Sequence, residues 1–348
     1  MFLFGVFFII SLLADIVVSD VNSCTRNSAI RTSEYAVNIF FKYYDSEGQL
    51  YRISTIEHPE SRQHLRDLHR NQKFAIIVPG WRENCEHDWV FDLIRNLLQH
   101  RGGTIICMDY IVYSSESYFR LMKHFDAISD ILTTKLCDLE FVGLPPAVGF
   151  MFGFSFGGQI VAEAGRRIGP GRIKDIDICD MAGPGFESKS PPNHALSAQN
   201  VQCIHTSKDK GIRYSTCHQD WKMGNCGLTQ DAAAKPPFGS HGLCPHFYNI
   251  AFKHDFYAIP RPQSCNSKPP GFSAHYPHGY KMGYLENRKG TVRGELYAIT
   301  TKYYPYTIVP RTVSLLSDIL KNYNDPFNRN ASRNVTHSGY RLQNVENN

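Results

Sequence analysis

The chain has 348 residues, 42% of them apolar, and a formal net charge of +5. That is long enough for one large α/β domain or two small ones. The excess positive charge is mild and no long basic run occurs, so nucleic acid is not an expected partner; weak attraction to an anionic lipid surface is compatible with it.

The chain opens on a run from Phe2 to Leu13 that is almost wholly apolar. It falls short of the roughly 20 residues a membrane span needs. Small residues at Val17-Val18-Ser19 suit cleavage before Asp20, so residues 1–19 read as a signal peptide, with a membrane anchor as the alternative. All ten cysteines lie beyond that cut, and an even number in a secreted chain predicts disulfides. No Cys-x-x-Cys pair supports a structural metal site. Asn330 and Asn334 head Asn-x-Ser/Thr triplets and are candidate glycosylation sites.

Residues 35–55 alternate apolar and polar about Gly48 and predict an antiparallel pair. Phe74 to Val78 is a continuous apolar run, as expected of a strand buried on both faces. It ends at Pro79-Gly80-Trp81, where the Trp81 N–H is a candidate oxyanion donor; a plain turn over a core tryptophan is the alternative. A helix is predicted around Trp89 to Leu98, a second buried strand over 104–108, and a helix over 117–136. Asp109 reads as structural.

An apolar stretch, Ala147 to Phe152, then leads into Gly153-Phe154-Ser155-Phe156-Gly157, after which apolar and small residues recur at helical spacing. A Gly-x-Ser-x-Gly between strand and helix is the context of a nucleophile elbow. The turn is tight, so the positions two before and two after the serine must be small. It also aims the N–H groups of the new helix, Phe156 first, at developing negative charge. Asp175 to Cys179 is the next predicted parallel strand. Asp180 at its carboxyl end is placed to be the acid of a triad, while Asp175 and Asp177 are expected to begin the strand or face solvent. Val201 to His205 is a further strand with His205 structural.

A cysteine-rich insertion spans Cys217 to Cys265, and Cys217 and Cys226 enclose a short loop that suits a disulfide. Chain order in hydrolases with such an elbow is Ser, acid, His. The histidine candidates are His218, His241, His246, His254, His275 and His278, with His246 favoured because Cys244 beside it can pin its loop. Residues 289–310 predict late antiparallel strands. From Asn322 the chain is polar and expected to be disordered.

The blocks Gly153 to Gly158, Ala162 to Arg167, Asp180 to Pro184, Val201 to Ser207 and Cys244-Pro245-His246, in that order, resemble the animal pancreatic-lipase family across most of residues 35–310. The resemblance implies an α/β-hydrolase fold: a mostly parallel central sheet flanked by helices, over residues 20–320, with a polar tail at 321–348. It implies Ser155 as nucleophile, Asp180 as acid, His246 as base, and the N–H groups of Trp81 and Phe156 as oxyanion hole. It implies a secreted, extracellular hydrolase of lipid esters at a membrane or droplet surface, without cofactor. Pro79 departs from the histidine usual in the family, which alters the support of that loop. The short Cys217–Cys226 loop resembles the phospholipase A1 branch, which also suggests the bridges Cys24–Cys107, Cys217–Cys226 and Cys244–Cys265. Glu187 is the only acid in residues 187–200, so no calcium site is expected. No C-terminal β-sandwich is expected either, and hence no colipase. Triacylglycerol lipase and a catalytically inert lipid-binding or storage protein are the alternatives.

Overall fold

The computed structural model describes residues 24, 29–65, 73–187, 192–233, 239–265 and 272–308. The expected signal peptide, both glycosylation candidates and the polar tail lie outside the described residues.

Among those residues nine strands form one sheet in the order β2-β1-β4-β3-β5-β6-β7-β8-β9. The strands are β1 Phe40–Tyr44, β2 Leu50–Ser54, β3 Phe74–Val78, β4 Thr104–Asp109, β5 Gly149–Phe154, β6 Asp175–Cys179, β7 Asn200–His205, β8 Gln219–Met223 and β9 Gly294–Ala298. β1 runs antiparallel to both β2 and β4, and every pairing from β4 across to β9 is parallel. The helices are α1 Glu34–Asn38, α2 Asp88–His100, α3 Ile111–Ser114, α4 Tyr118–Lys123, α5 Phe125–Phe141, α6 Phe156–Ile168 and α7 Leu243–Ile250.

The continuous apolar runs of β3, β4 and β5 are explained by two cores, one on each face of the sheet. Successive residues of a strand point to opposite faces. Ile76, Val78, Ile106, Met108 and Met151 enter one core with Ile128 and Ile131 of α5 and Ile160 and Val161 of α6. Ala75, Ile77, Ile105, Phe150 and Phe152 enter the other with Val90 and Leu93 of α2 and Phe247 and Tyr248 of α7. A polar residue at any of these positions has no wet side to face.

Several expectations are corrected. Residues 34–38 form a helix, so the antiparallel pair starts only at Phe40. The helix expected over 117–136 is two, broken at His124. The cysteine-rich insertion contains both a strand and a helix, β8 and α7, and the strand after it, β9, is parallel to β8. Tyr303, Tyr304 and Tyr306 lie outside any strand. Asp177 is buried, accepting a 2.5 Å hydrogen bond from the Tyr248 hydroxyl and pairing with Lys289 at 2.7 Å.

All ten cysteines are paired, but none in the expected way: the bridges are Cys24–Cys137, Cys85–Cys107, Cys179–Cys244, Cys203–Cys217 and Cys226–Cys265. Cys217 and Cys226 flank β8, whose extended backbone carries them apart, so the short loop between them is not a disulfide loop. Cys107 is committed to β4 and faces Cys85 in the turn before α2, which leaves Cys24 to α5. Cys244 enters α7 against the end of β6, which leaves Cys265 to Cys226.

Candidate active site

Ser155 ends β5 with φ 54° and ψ −118°, a conformation L-residues rarely adopt, and α6 starts at the next residue. The crowding that dictates the two glycines is measurable. A Cβ on Gly153 would lie 2.5 Å from the Gly157 carbonyl oxygen, and one on Gly157 would lie 2.2 Å from the Val78 carbonyl oxygen. Only bare backbone lets β3, β5 and α6 meet here. The Ser155 N–H is held by the Cys179 carbonyl at 2.9 Å, and its carbonyl accepts from Gly158 and Ala182, both at 3.0 Å.

Asp180 follows β6 at φ 38° and is completely buried. An ionised carboxylate can only accept, and four donors face this one. Oδ1 receives the Thr206 N–H at 2.8 Å and the Ser207 N–H at 3.2 Å. Oδ2 receives the Ser207 hydroxyl at 2.5 Å and His241 Nδ1 at 2.6 Å. A side chain on Gly211 would put its Cβ 2.5 Å from Oδ1, so the loop after β7 folds around the acid through a residue without one.

The histidine between serine and acid is His241. Its Nε2 lies 2.9 Å from Ser155 Oγ, and its ring lies against Phe154 with centroids 4.8 Å apart. His246, the favoured candidate, is the fourth residue of α7 and is exposed, away from Ser155 and Asp180. The reason is geometric. The histidine must cross the carboxyl edge of the sheet to reach Ser155, and that crossing ends in the turn before α7; once the helix begins, the chain has left the crevice. The cysteine used to favour His246 does anchor the right segment. Cys244 is bonded to Cys179, the residue before Asp180, and so fastens the histidine turn to the acid's strand. His218, by contrast, accepts the Val201 N–H at 3.0 Å at the other end of the sheet. Burial depresses the His218 pKa to about 4, so it stays neutral. His205 bonds Asp220 at 2.5 Å, in keeping with a structural role.

The loop after β3 forms the opposite wall. Pro79 has no N–H to give, and support comes from elsewhere. The Tyr110 hydroxyl donates to the Pro79 carbonyl at 2.7 Å, and burial holds that phenol well above its ordinary pKa. The Glu83 carboxyl accepts from the Gly80 N–H at 2.9 Å and from the Trp89 indole at 3.2 Å; burial pushes its pKa up. A Cβ on Gly80 would come 3.1 Å from the Cβ of Ser155, so the backbone leading into Trp81 passes directly over the serine. The Trp81 N–H makes no backbone hydrogen bond among the described residues. The Phe156 N–H, in the first turn of α6, has no intrahelical acceptor. Neither candidate oxyanion donor is thus taken by a backbone acceptor among the described residues. Behind Phe156, the rings of Tyr118, Phe125 and Phe186 pack edge to face at 5.6–6.0 Å, an apolar wall beside the serine.

Among the described residues no group of three or more His, Cys, Asp or Glu side chains is arranged to hold a metal ion. Glu187 instead accepts the Arg213 N–H at 3.1 Å. No described helix is long and apolar enough to cross a membrane.

A serine on a strand-to-helix elbow of a parallel sheet, followed in the chain by its acid and then its histidine, defines the α/β-hydrolase class. The family model described as Lipase matches residues 15–230, and the chain belongs to the lipase family. Phospholipase A1 member A of Homo sapiens is 29% identical over 179 residues, covering 49% of this chain and 38% of that protein. Pancreatic lipase-related protein 2 of Myocastor coypus is 28% identical over 186 residues, covering 51% and 38%. Pancreatic triacylglycerol lipase of Ictidomys tridecemlineatus is 28% identical over 180 residues, covering 49% and 37%. The aligned stretch thus spans well under half of each relative. Among solved structures, esterase PE8 matches 45% of this chain at 12% identity with a TM-score of 0.32, too low to carry an argument.

Proposed function

We propose that the protein is a secreted hydrolase of lipid carboxylic esters, working through Ser155, His241 and Asp180. The observation that carries the reading is the single imidazole bridging Ser155 Oγ and Asp180 Oδ2 at 2.9 and 2.6 Å. Asp180 accepts only, so Nδ1 carries the proton and Nε2 is left with the lone pair that faces the serine hydroxyl. Ser155 Oγ attacks the acyl carbonyl as its proton passes to Nε2, and the Trp81 and Phe156 N–H groups receive the oxyanion. Nε2 then protonates the departing alcohol, leaving an acyl-serine. Water, deprotonated by the same nitrogen, releases the acid and restores Ser155.

Lipid esters as substrates are supported by the lipase and phospholipase A1 names of the relatives and by the aromatic wall beside the serine. The exposed Val112 of α3 and Phe119 of α4, 46% and 78% exposed, suit contact with a lipid surface at the same edge. Secretion is supported by five disulfides, which persist in oxidising compartments. No metal, cofactor or colipase enters the reading.

The test is fatty acid release from phosphatidylcholine and triolein by the wild type and three variants. Ser155→Ala and His241→Ala are expected to lose roughly 10⁴-fold or more in kcat, because members of a triad fail as a unit. His246→Ala is expected to stay near wild type. Full activity in Ser155→Ala would overturn the proposal, and loss in His246→Ala with retention in His241→Ala would reverse the assignment of the base. A wild type that releases acid from neither lipid would favour the binding or storage alternative.

A further inference from the structure

Arg82 follows the oxyanion candidate Trp81 and has φ 62°. A side chain there is disfavoured, and glycine or asparagine is the usual occupant. The position is nevertheless fixed. The Arg82 N–H donates to the Ser114 carbonyl at 3.0 Å. Its guanidinium lies over the Trp81 ring, 4.6 Å from the centroid. That ring is itself held by its indole N–H on the Glu116 carbonyl at 2.8 Å and by an edge contact with Tyr118 at 5.4 Å.

The nearby acids are engaged elsewhere. Glu83 takes the Gly80 and Trp89 N–H groups, Glu86 pairs with Lys42 at 3.3 Å, and Glu116 faces His124 at 3.8 Å. Among the described residues the Arg82 guanidinium has no ion pair and no side-chain hydrogen bond, and the residue is exposed. An exposed cation with its donors unused among the described residues therefore stacks on Trp81, the residue whose N–H would receive the oxyanion.

Resting on the hydrolase reading, we infer that Arg82 is a specificity residue that receives the phosphodiester of a glycerophospholipid whose acyl ester lies at Ser155. In such a lipid the glycerol carbons put the phosphate a few bonds from the reacting carbonyl, on the alcohol side. A guanidinium presents a planar fork of N–H donors that matches two phosphate oxygens. A triacylglycerol offers only another neutral ester there, so Arg82 favours the phospholipid without taking part in bond making.

The experiment uses two monomeric substrates below their aggregation limits, dihexanoylphosphatidylcholine and dihexanoylglycerol, so that attraction to a charged surface cannot contribute. Arg82→Gly removes the guanidinium while adopting the same backbone conformation without strain, and its Tm is expected to rise. The ratio of kcat/KM for the phospholipid over the diacylglycerol should fall by about tenfold to a hundredfold, the range of a charge-assisted hydrogen bond. Arg82→Lys, a point charge without the fork, should recover part of it. An unchanged ratio in Arg82→Gly overturns the inference, as does an equal fall on both substrates, which would make Arg82 a loop support. Hydrolysis that persists in Ser155→Ala would instead overturn the underlying hydrolase reading.

Discussion

Two buried carboxylates stand three residues apart on one stretch of chain, and they do opposite things. Asp177, inside β6, meets a permanent cation: Lys289 Nζ lies 2.7 and 2.9 Å from its two oxygens, and the Tyr248 hydroxyl donates at 2.5 Å. Asp180, just past the strand, meets no permanent cation. It faces three donors on Thr206 and Ser207 and an imidazole that can gain or lose a proton. The first is a closed pair whose burial is offset by an opposite charge. In the proposed mechanism the second stabilises a charge that forms on His241 only during turnover. Burial alone does not single out the proposed catalytic acid; the nature of its partner does.

The largest test of this contrast is the pair of amide substitutions. Asp180→Asn should lower kcat by about 10⁴-fold with the fold retained, because the imidazole loses its tautomer and its counter-charge. Asp177→Asn should leave activity per folded molecule near wild type but cost about 3–5 kcal/mol in stability, because Lys289 is left buried and unpaired. Initial rates and denaturant midpoints read both, and the contrast fails if the two variants exchange phenotypes. A smaller effect is expected at the link between the histidine turn and the acid. Removing the Cys179–Cys244 bridge as a double alanine variant should cost about 2–4 kcal/mol. It should also lower kcat more than KM, whereas removal of Cys85–Cys107 should affect stability alone; equal kinetics in the two would deny the bridge a role in alignment.

The smallest concerns a third kind of buried group, one that is neutral. Burial, aided by Arg166, lowers the His194 pKa to about 4. The unfolded chain, near the ordinary 6.5, binds the proton first. Stability is therefore full above pH 6.5 and falls as pH drops toward 4, by on the order of 2–3 kcal/mol. Thermal melts of His194→Gln across that window should show a shallower acid slope, and an unchanged slope would remove His194 as the cause.

The elbow at Ser155 and the strand end at Asp180 were legible because their constraints are local. The elbow writes its glycines around Ser155, and a continuous apolar run that ends in Asp180 states both the strand and its carboxyl end. The histidine was not. Six candidates follow Asp180, and the distinction between His241 and His246 depends on where the crossing over the sheet ends and α7 begins. The family-like Cys-Pro-His block points to His246, whereas the ring that bridges Ser155 and Asp180 is that of His241. Disulfide partners were equally hidden, since Cys179 and Cys244 meet only once β6 and α7 are docked. β8 was missed because Gln219 and Asp220 make it polar at its start, and both turn out to be buried on hydrogen bonds to Lys289, Val292, Ser215 and His205. α1 escaped because its five residues also alternate like a strand.

Of the five non-glycine residues at positive φ among the described residues, three are Arg82, Ser155 and Asp180. Each departs from ordinary backbone at a cost on the order of 1–3 kcal/mol, against a typical total stability of only about 5–15 kcal/mol. A lineage released from any task at this crevice could relax all three with single changes to glycine and become more robust for doing so. Replacing any of the three by glycine would therefore trade the chemistry proposed for the crevice against stability.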